Sequence, residues 1–200
     1  MLLEKVENYT SSLLEKLNDL PFHNIHHTRA VISHVKEICD RLSVSAKDGE
    51  SVLIAAWFHD VGYITSHKNH EEISSRMAED FLVKEGLYIE QIEVIKNCIL
   101  STRLPQKPKL LNEKILCDAD LYHLSSLDYF FWQQLLRREW EICYAKKYSD
   151  LNWHKLNREF LSNHSYHTEY GKKILLPRVK DNLAKTERLL HTYQIKLRSV

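Results

Sequence analysis

The chain has 200 residues, of which 44% are hydrophobic, and its 28 basic and 27 acidic side chains leave a formal net charge of +1. This balance argues against a general nucleic-acid binder or a membrane-surface protein. No segment approaches the roughly 20 consecutive apolar residues that span a bilayer. We therefore expect a single domain with a sizeable core, and neither nucleic acid nor membrane among its partners.

The N-terminal stretch MLLEKVENYTSSLLEKL is interrupted by charges from Glu4 onward, which is unlike a secretory signal. Four cysteines are scattered without a CxxC pair, which argues against a structural zinc ribbon; they are Cys39, Cys98, Cys117 and Cys143. Both features predict a reducing, cytoplasmic location.

Apolar residues recur at helical spacing through nearly the whole chain, and four glycines and four prolines provide little turn chemistry. An all-α fold is predicted. The first helix begins near Leu2, continues to Leu17 and ends before Pro21. The apolar face of the second helix comprises Val31, Val35, Ile38 and Leu42.

Asn69 is predicted to cap a helix that runs to about Lys84 and stops at Gly86. Another helix covers residues 89–100, and the proline-containing segment 103–109 is a loop. Two long patterns, residues 127–148 and about 166–197, complete the chain. Pro177 lies inside the second pattern and should kink or split it.

Several polar residues occupy positions where the pattern enters the core. His27 lies four residues before Val31, on the apolar face of its helix. His59 and Asp60 follow the hydrophobic run 52–58, and two further acids follow the apolar run 115–117; they are Asp118 and Asp120. Buried imidazoles and carboxylates need compensating partners. These side chains either bond one another within a helical scaffold or surround a divalent cation with open coordination positions.

Three motifs resemble the HD superfamily of metal-dependent phosphohydrolases. FHNIHHT carries His27, LIAAWFHDVGY carries His59-Asp60, and HEEISSRMAEDFL is followed by STRLPQKPKLLNEKILCDADL with Asp120. The resemblance is detailed over about residues 20–125 and continues loosely through REWE and FLSNHSYHTEYGKK. It implies a compact, single-domain helical bundle over residues 1–200, with a metal-site core at about 20–125 and C-terminal helices at about 126–200.

The resemblance also implies the ligands of one divalent metal ion: His27, His59, Asp60 and Asp120. The last ligand of the superfamily is the aspartate of an Ala-Asp pair that begins a helix, and Ala119-Asp120 matches it. Asp118 is the alternative ligand, or the N-cap of that helix. His70 resembles a ligand of two-metal members, but the segment NCILSTRL lacks their histidine pair, so one ion is expected. Nitrogen and carboxylate ligands favour Mn²⁺, Fe²⁺, Ni²⁺, Co²⁺ or Zn²⁺ over Mg²⁺.

The implied activity is hydrolysis of a phosphorylated small molecule, a nucleotide in the first instance, through a metal-bound water. His70 and Glu71 would orient the water or protonate the leaving group, although an acid also suits the first turn of a helix. Arg103 and Lys107, with Lys109, would hold substrate phosphates, or form a solvated basic loop.

Four further histidines have no assigned role in this chemistry. His23 and His26 flank the first ligand as supporting or surface residues, and the spacing of His164 and His167 indicates no partner. The alternative to an enzyme is a regulatory module that binds a metal or a nucleotide without catalysis. The sequence indicates neither the base of the substrate nor an oligomeric state.

Overall fold

The computed structural model describes residues 1–17 and 19–198. These residues contain nine α-helices and no strand, so the predicted all-α fold is confirmed. The helices are α1 (Leu2–Leu14), α2 (Ile25–Arg41), α3 (Ala46–Phe58), α4 (His70–Lys84), α5 (Ile89–Ser101), α6 (Leu111–Asp120), α7 (Tyr129–Cys143), α8 (Asp150–Asn163) and α9 (Leu176–Arg198). Short 3₁₀ turns cover Glu15–Leu17, Val61–Ile64 and Leu121–Ser125.

The chain divides into two compact units, Met1–Leu121 and Tyr122–Val200. Helices α1 to α6 belong to the first unit, and α7 to α9 belong to the second. The boundary falls close to the predicted division near residue 125, and a single-domain organisation of residues 1–200 stays a prediction. Within the described part of the chain, no helix is both long enough and apolar enough to cross a membrane.

Helix α3 lies at the centre of the first unit, where α1, α2, α4, α5 and α6 pack against it. Val52, Ile54, Trp57 and Phe58 are all buried. Each such side chain stabilises the fold by roughly 1.5–3 kcal/mol when it leaves water. The residues that follow Phe58 therefore begin inside the core, which is why His59 and Asp60 are buried.

Helix α4 has the predicted bounds. It begins after Asn69, whose backbone is left-handed at φ 55°, and it ends in a turn around Gly86 at φ 78°. The N–H of Gly86 donates to Val83 at 3.0 Å and that of Leu87 to Leu82 at 3.1 Å. This paired pattern satisfies the last carbonyls of a helix and needs a left-handed residue, which glycine adopts without a Cβ penalty.

In the second unit, the pattern predicted at residues 127–148 contains α7, and the split predicted at Pro177 takes the form of a π-helical turn, Gly171–Leu175, before α9. The N–H of Leu176 donates to Gly171, five residues back, next to the proline that lacks a donor. Helix α8 was not predicted. It buries only Trp153, His154 and Leu161, so its apolar periodicity is weak.

Candidate metal centre

His27 is held in the first turn of α2 by an asparagine cap. Asn24 Oδ1 accepts the backbone N–H groups of His26 and His27 at 2.9 and 3.4 Å. Its Nδ2 donates to the carbonyl of Leu20 at 2.8 Å. Such a cap satisfies donors that the start of a helix leaves unpaired. It joins the preceding loop to α2 and places the buried His27 imidazole against the ring of Phe22, with centroids 4.8 Å apart.

His59 and Asp60 lie where α3 ends. His59 keeps helical angles, whereas Asp60 leaves them at φ −111° and ψ 1°. Nδ1 of His59 is 2.7 Å from the carbonyl oxygen of Ala56. A carbonyl only accepts, so Nδ1 carries the hydrogen, and Nε2 faces Asp60 Oδ2 at 3.0 Å. Metal-binding histidines use this arrangement, in which one ring nitrogen donates to a carbonyl and the other is the ligand.

Asp120 ends helix α6 rather than beginning a helix, so the sequence prediction was wrong on this point. Glu113 accepts the backbone N–H groups of Lys109 and Leu110 at 2.6 and 3.3 Å, which starts the helix earlier. Asp118 therefore lies buried inside α6 and is not an N-cap. An apolar run followed by acids fits the end of a helix as well as the approach to one.

The four predicted ligands converge. Nε2 of His27 lies 3.4 Å from His59 Nε2, 3.4 Å from Asp60 Oδ2 and 3.3 Å from Asp120 Oδ1. Nε2 of His59 lies 3.8 Å from Asp120 Oδ1. Atoms bound about 2.1 Å from one ion are roughly 3.0 Å apart at octahedral angles and roughly 3.4 Å apart at tetrahedral angles. Four of the five observed separations, 3.0–3.4 Å, match these values, and the fifth, 3.8 Å between His59 Nε2 and Asp120 Oδ1, is longer.

Asp60 Oδ2 strengthens the fit to a cation. It is buried, and while Nε2 of His59 carries no proton, no described residue gives it a hydrogen bond. Ligand atoms of His27, His59 and Asp60 all lie within 4.8 Å of one another. A group of buried Lewis bases with an unsatisfied carboxylate oxygen is the environment that a divalent ion completes.

The cluster is strongly polarised even without an ion. Burial alone lowers the pKa of His59, but the facing Asp60 carboxylate outweighs it and raises this pKa to about 9. Burial likewise raises the pKa of Asp60, and the His59 imidazole holds it below its ordinary range. The pKa of Asp120 is also lowered, because a hydrogen bond from His27 and the charge of His59 outweigh burial. A metal that binds here displaces a proton.

His70 and Glu71 begin α4 beside this cluster. Nε2 of His70 is 3.6 Å from Asp60 Oδ1 and 3.6 Å from Glu71 Oε1. The turn after Asp60 can lie this close to the start of α4 because residue 62 is a glycine. A Cβ at Gly62 would lie 2.2 Å from the carbonyl oxygen of His70. The N–H of Gly62 donates to Ser74 Oγ at 2.8 Å. The two oxygens of Asp60 have different neighbours. Oδ2 faces the imidazoles of His27 and His59, whereas Oδ1 faces His70.

The predicted phosphate-binding residues have different surroundings. Arg103 bonds Glu72 and donates to Asn69 Oδ1 at 2.8 Å, so it ties the loop to the start of α4. The Asn69 side chain is thus directed to Arg103 and does not cap α4. Lys107 is exposed on the same loop. Their contact with substrate stays a prediction.

The remaining histidines are dispersed. His23 lies beside the cluster, with its ring centroid 5.7 Å from that of His27, whereas His26 is exposed. His164 belongs to the second unit and packs edge-on against Tyr166 at 4.5 Å. The half-buried His167 belongs to the same unit.

Two residues near the centre were missed in the sequence. Gln106 lies between the two loop prolines and donates from Nε2 to Asp120 Oδ2 at 3.4 Å, but an uncharged amide among basic side chains is no sign of a metal site. Tyr63 stacks on His23 with ring centroids 4.3 Å apart. Its position next to Gly62 could have indicated a place near the centre, because the turn at Gly62 connects Asp60 with the segment that leads to His70.

The comparisons with known proteins concern the family and the fold of the chain. The family model described as HD domain matches residues 24–125, a segment that contains the four converging side chains. A crystal structure described as a predicted HD superfamily hydrolase, from an uncultured Thermotogales bacterium, is 21% identical with a TM-score of 0.65. The match covers 95% of this chain and 92% of that one, and it shows a shared fold. No curated protein matches.

The family match covers just over half of the chain and includes every element that supplies a converging side chain: the start of α2, the end of α3 and the end of α6. By this match, and by its fold, the chain belongs to the HD domain family.

Proposed function

We propose that this protein is a metal-dependent phosphohydrolase that acts on a small phosphorylated molecule, with nucleotides as the substrate class. The observation that carries the proposal is the convergence of four side chains: the two imidazole nitrogens lie 3.4 Å apart, and each of them lies 3.0–3.8 Å from one oxygen of Asp60 and one of Asp120. On a five- or six-coordinate ion, four such ligands leave positions open for water and substrate.

His27, His59, Asp60 and Asp120 would hold the ion. A divalent ion in this position lowers the pKa of a coordinated water and neutralises charge on phosphoryl oxygens. The identity of the ion follows the donor set, which suits Mn²⁺, Fe²⁺, Ni²⁺, Co²⁺ or Zn²⁺ better than Mg²⁺.

His70 and Glu71 supply proton transfer in this proposal. The imidazole of His70 is within 3.6 Å of Asp60 Oδ1, close enough to exchange a proton with a group held at the centre. Its Nδ1 is 3.3 Å from the carbonyl of His67, which accepts the Nδ1 hydrogen and directs Nε2 toward Asp60 and Glu71. The exposed Lys107 adds positive charge on the loop that leads to α6.

The test is a screen of phosphate release from a panel of nucleotides and phosphate esters with added Mn²⁺. We expect turnover by the wild type and none by His59→Ala, whose metal content falls at the same time. His26→Ala is the matched control, since His26 is exposed one residue from a ligand. A metal-loaded wild type that leaves the whole panel untouched would favour a metal- or nucleotide-binding regulatory module instead.

A further inference from the structure

Three aromatic rings form a cluster at the edge of the metal centre, which we call the ring triad: His23, Tyr63 and His70. The ring centroid of Tyr63 is 4.3 Å from that of His23, with the planes 15° apart, and 4.1 Å from that of His70. The two imidazoles are 6.4 Å apart. Tyr63 is thus the member that contacts both others most closely.

The ring triad borders the ligands directly. Nε2 of His70 lies 3.6 Å from Asp60 Oδ1, and the ring of His23 lies edge-on to that of His27. The Tyr63 hydroxyl is 3.4 Å from Nε2 of His23. A change in the Tyr63 ring would therefore alter the setting of two imidazoles next to the proposed ion.

Tyr63 is itself fixed by the turn that carries it. Its N–H donates to the carbonyl of Asp60 at 3.0 Å, and the preceding Gly62 is wedged against the backbone of His70. The imidazole of His70 has a hydrogen-bonding contact with His67 O at 3.3 Å, from its own segment of chain. The Tyr63 ring adds a contact from a separate element, the 3₁₀ turn Val61–Ile64, and this contact restricts rotation of the imidazole.

We propose that Tyr63 is a positioning residue, which holds the His70 imidazole at the orientation needed for proton transfer beside the metal ion. The inference rests on the proposed function in one respect, the role of His70 in that transfer. The ring performs this task, and the hydroxyl serves His23. Misplacement of a reacting group by about 1 Å can cost on the order of 100-fold in rate.

The kinetic test compares Tyr63→Leu, Tyr63→Phe, His70→Ala and the double variant Tyr63→Leu/His70→Ala. We expect kcat of Tyr63→Leu to fall about 10- to 100-fold, with KM and metal content little changed, and Tyr63→Phe to recover most of the loss. In the His70→Ala background, Tyr63→Leu should have no further effect, because it acts through that imidazole. Tyr88→Leu, the same change at an exposed tyrosine of the first unit, is the matched control.

Full additivity of the two changes, or a Tyr63→Phe variant as slow as Tyr63→Leu, would overturn the proposal. A loss of metal by Tyr63→Leu would do the same, because Tyr63 would then support the ligands and not His70.

A spectroscopic arm separates this inference from the proposed function. In Zn²⁺-loaded protein, the Tyr63 ring current should displace the carbon-bound proton signals of His23 and His70. The displacement should vanish in Tyr63→Leu and persist in Tyr63→Phe. If the wild type hydrolyses nothing, the proposed function fails, while these signals still decide whether Tyr63 positions the imidazoles. Identical imidazole signals in wild type and Tyr63→Leu contradict the inference whether or not turnover is found.

Discussion

The two units of the chain bury polar side chains in different ways. In the second unit, buried polar groups find complementary partners. The Tyr129 hydroxyl donates to Asn157 Oδ1 at 2.7 Å, and Asn182 Nδ2 donates to the carbonyls of Leu124 and Ser126 at 2.9 Å each. Here donors meet acceptors inside the chain, which is the ordinary solution for a polar core.

In the first unit, groups of the same kind face one another. Nε2 of His27 and Nε2 of His59 are 3.4 Å apart, and two carboxylates approach the same point. Such an arrangement is costly unless a proton or a metal cation is bound. Convergence of like groups, rather than burial alone, therefore distinguishes a candidate ligand site from a polar core.

Isolated exceptions in the second unit support this criterion. Gln133 Nε2, His154 Nδ1 and His164 Nε2 are buried without a hydrogen-bond partner among the described residues. Each is a single atom. In the part of the chain that the structure describes, the ligand atoms that all lie within 4.8 Å of one another belong to His27, His59 and Asp60, and Asp120 approaches both imidazoles of this group.

The largest effect is expected from removing one ligand charge. Asp120→Asn should weaken Zn²⁺ or Mn²⁺ binding more than about 100-fold, beyond the usual loss for a supporting residue, and should abolish turnover. Asp118→Asn, a control at a more deeply buried aspartate two residues earlier, should bind metal like the wild type. Calorimetric titration measures both. Loss of binding in Asp118→Asn with retention in Asp120→Asn would reverse the assignment of the fourth ligand.

A second large effect concerns the turn that joins the ligands to α4. Gly62→Ala places a Cβ 2.2 Å from a backbone oxygen of His70, so we expect a loss of about 3 kcal/mol or more in the free energy of unfolding. Gly49→Ala is the matched control, because its Cβ would have Cys39 Sγ at 4.0 Å as its neighbour. In helix α3 that change should stabilise by about 1 kcal/mol. Chemical denaturation measures the free energy of unfolding of both variants. Equal changes in the two would show that the close contact between Gly62 and the His70 backbone leaves no less room for a Cβ than Gly49 has.

Part of this structure could be predicted from the sequence and part could not. Helical periodicity and the motifs around His27 and His59 were sufficient to predict the fold and the converging side chains. They were insufficient for the end of α6, because an apolar run followed by aspartates is compatible with either end of a helix. Only Glu113, which accepts the N–H groups at the start of α6, fixes where that helix begins.

The contacts of individual polar side chains were less predictable than their elements. Asn69 stands at the N-cap position, yet its oxygen accepts from Arg103, which lies 34 residues away in sequence. Gln106 contacts Asp120 although an uncharged amide between prolines gave no signal. Such long-range pairs depend on how α4, α5 and α6 pack, which local patterns do not specify.

The metal centre should make stability depend on pH in opposite ways with and without metal. In the metal-free protein the pKa of His59 is raised from 6.5 to about 9, so its stabilisation is complete below about pH 6.5 and is lost as pH rises through 9. The loss amounts to about 3 kcal/mol. The lowered pKa values of Asp60 and Asp120 affect stability at acid pH and not in this window.

Metal-loaded protein should instead be favoured as pH rises, because binding releases a proton. Calorimetric Tm values between pH 6.5 and 9, with EDTA or with Zn²⁺, measure both trends. His59→Ala should lose the alkaline decline of the metal-free form. A metal-free Tm that stays constant over this range would show that His59 is not held protonated by Asp60.

A change in the second unit should lower stability without any effect on metal binding. Asn182→Ala removes two hydrogen bonds and leaves the carbonyls of Leu124 and Ser126 without this donor, so we expect a loss of about 2 kcal/mol in the free energy of unfolding. Metal affinity should not change. Denaturant unfolding and metal titration together test this, and reduced metal affinity in a folded Asn182→Ala variant would contradict the division of roles between the two units.

The smallest effect is expected on KM, from the basic residues of the loop. It distinguishes a side chain that is bonded within the protein from one that is exposed to a ligand. Arg103 is bonded to Glu72 and Asn69, so Arg103→Ala should disturb the loop and change both kcat and KM. Lys107 is exposed on the same loop. An exposed charge attracts a phosphate by about 1 kcal/mol, so Lys107→Ala should raise KM roughly fivefold and leave kcat unchanged.

The control for this last change is Lys47→Ala, since Lys47 is exposed at the end of α3 opposite His59. The difference in KM between the two variants should shrink at high salt, because ions screen exposed charges. A Lys107→Ala variant with unchanged KM at low salt would assign this lysine to the solvated surface, and the substrate phosphate would then be held by the metal centre and its neighbours alone.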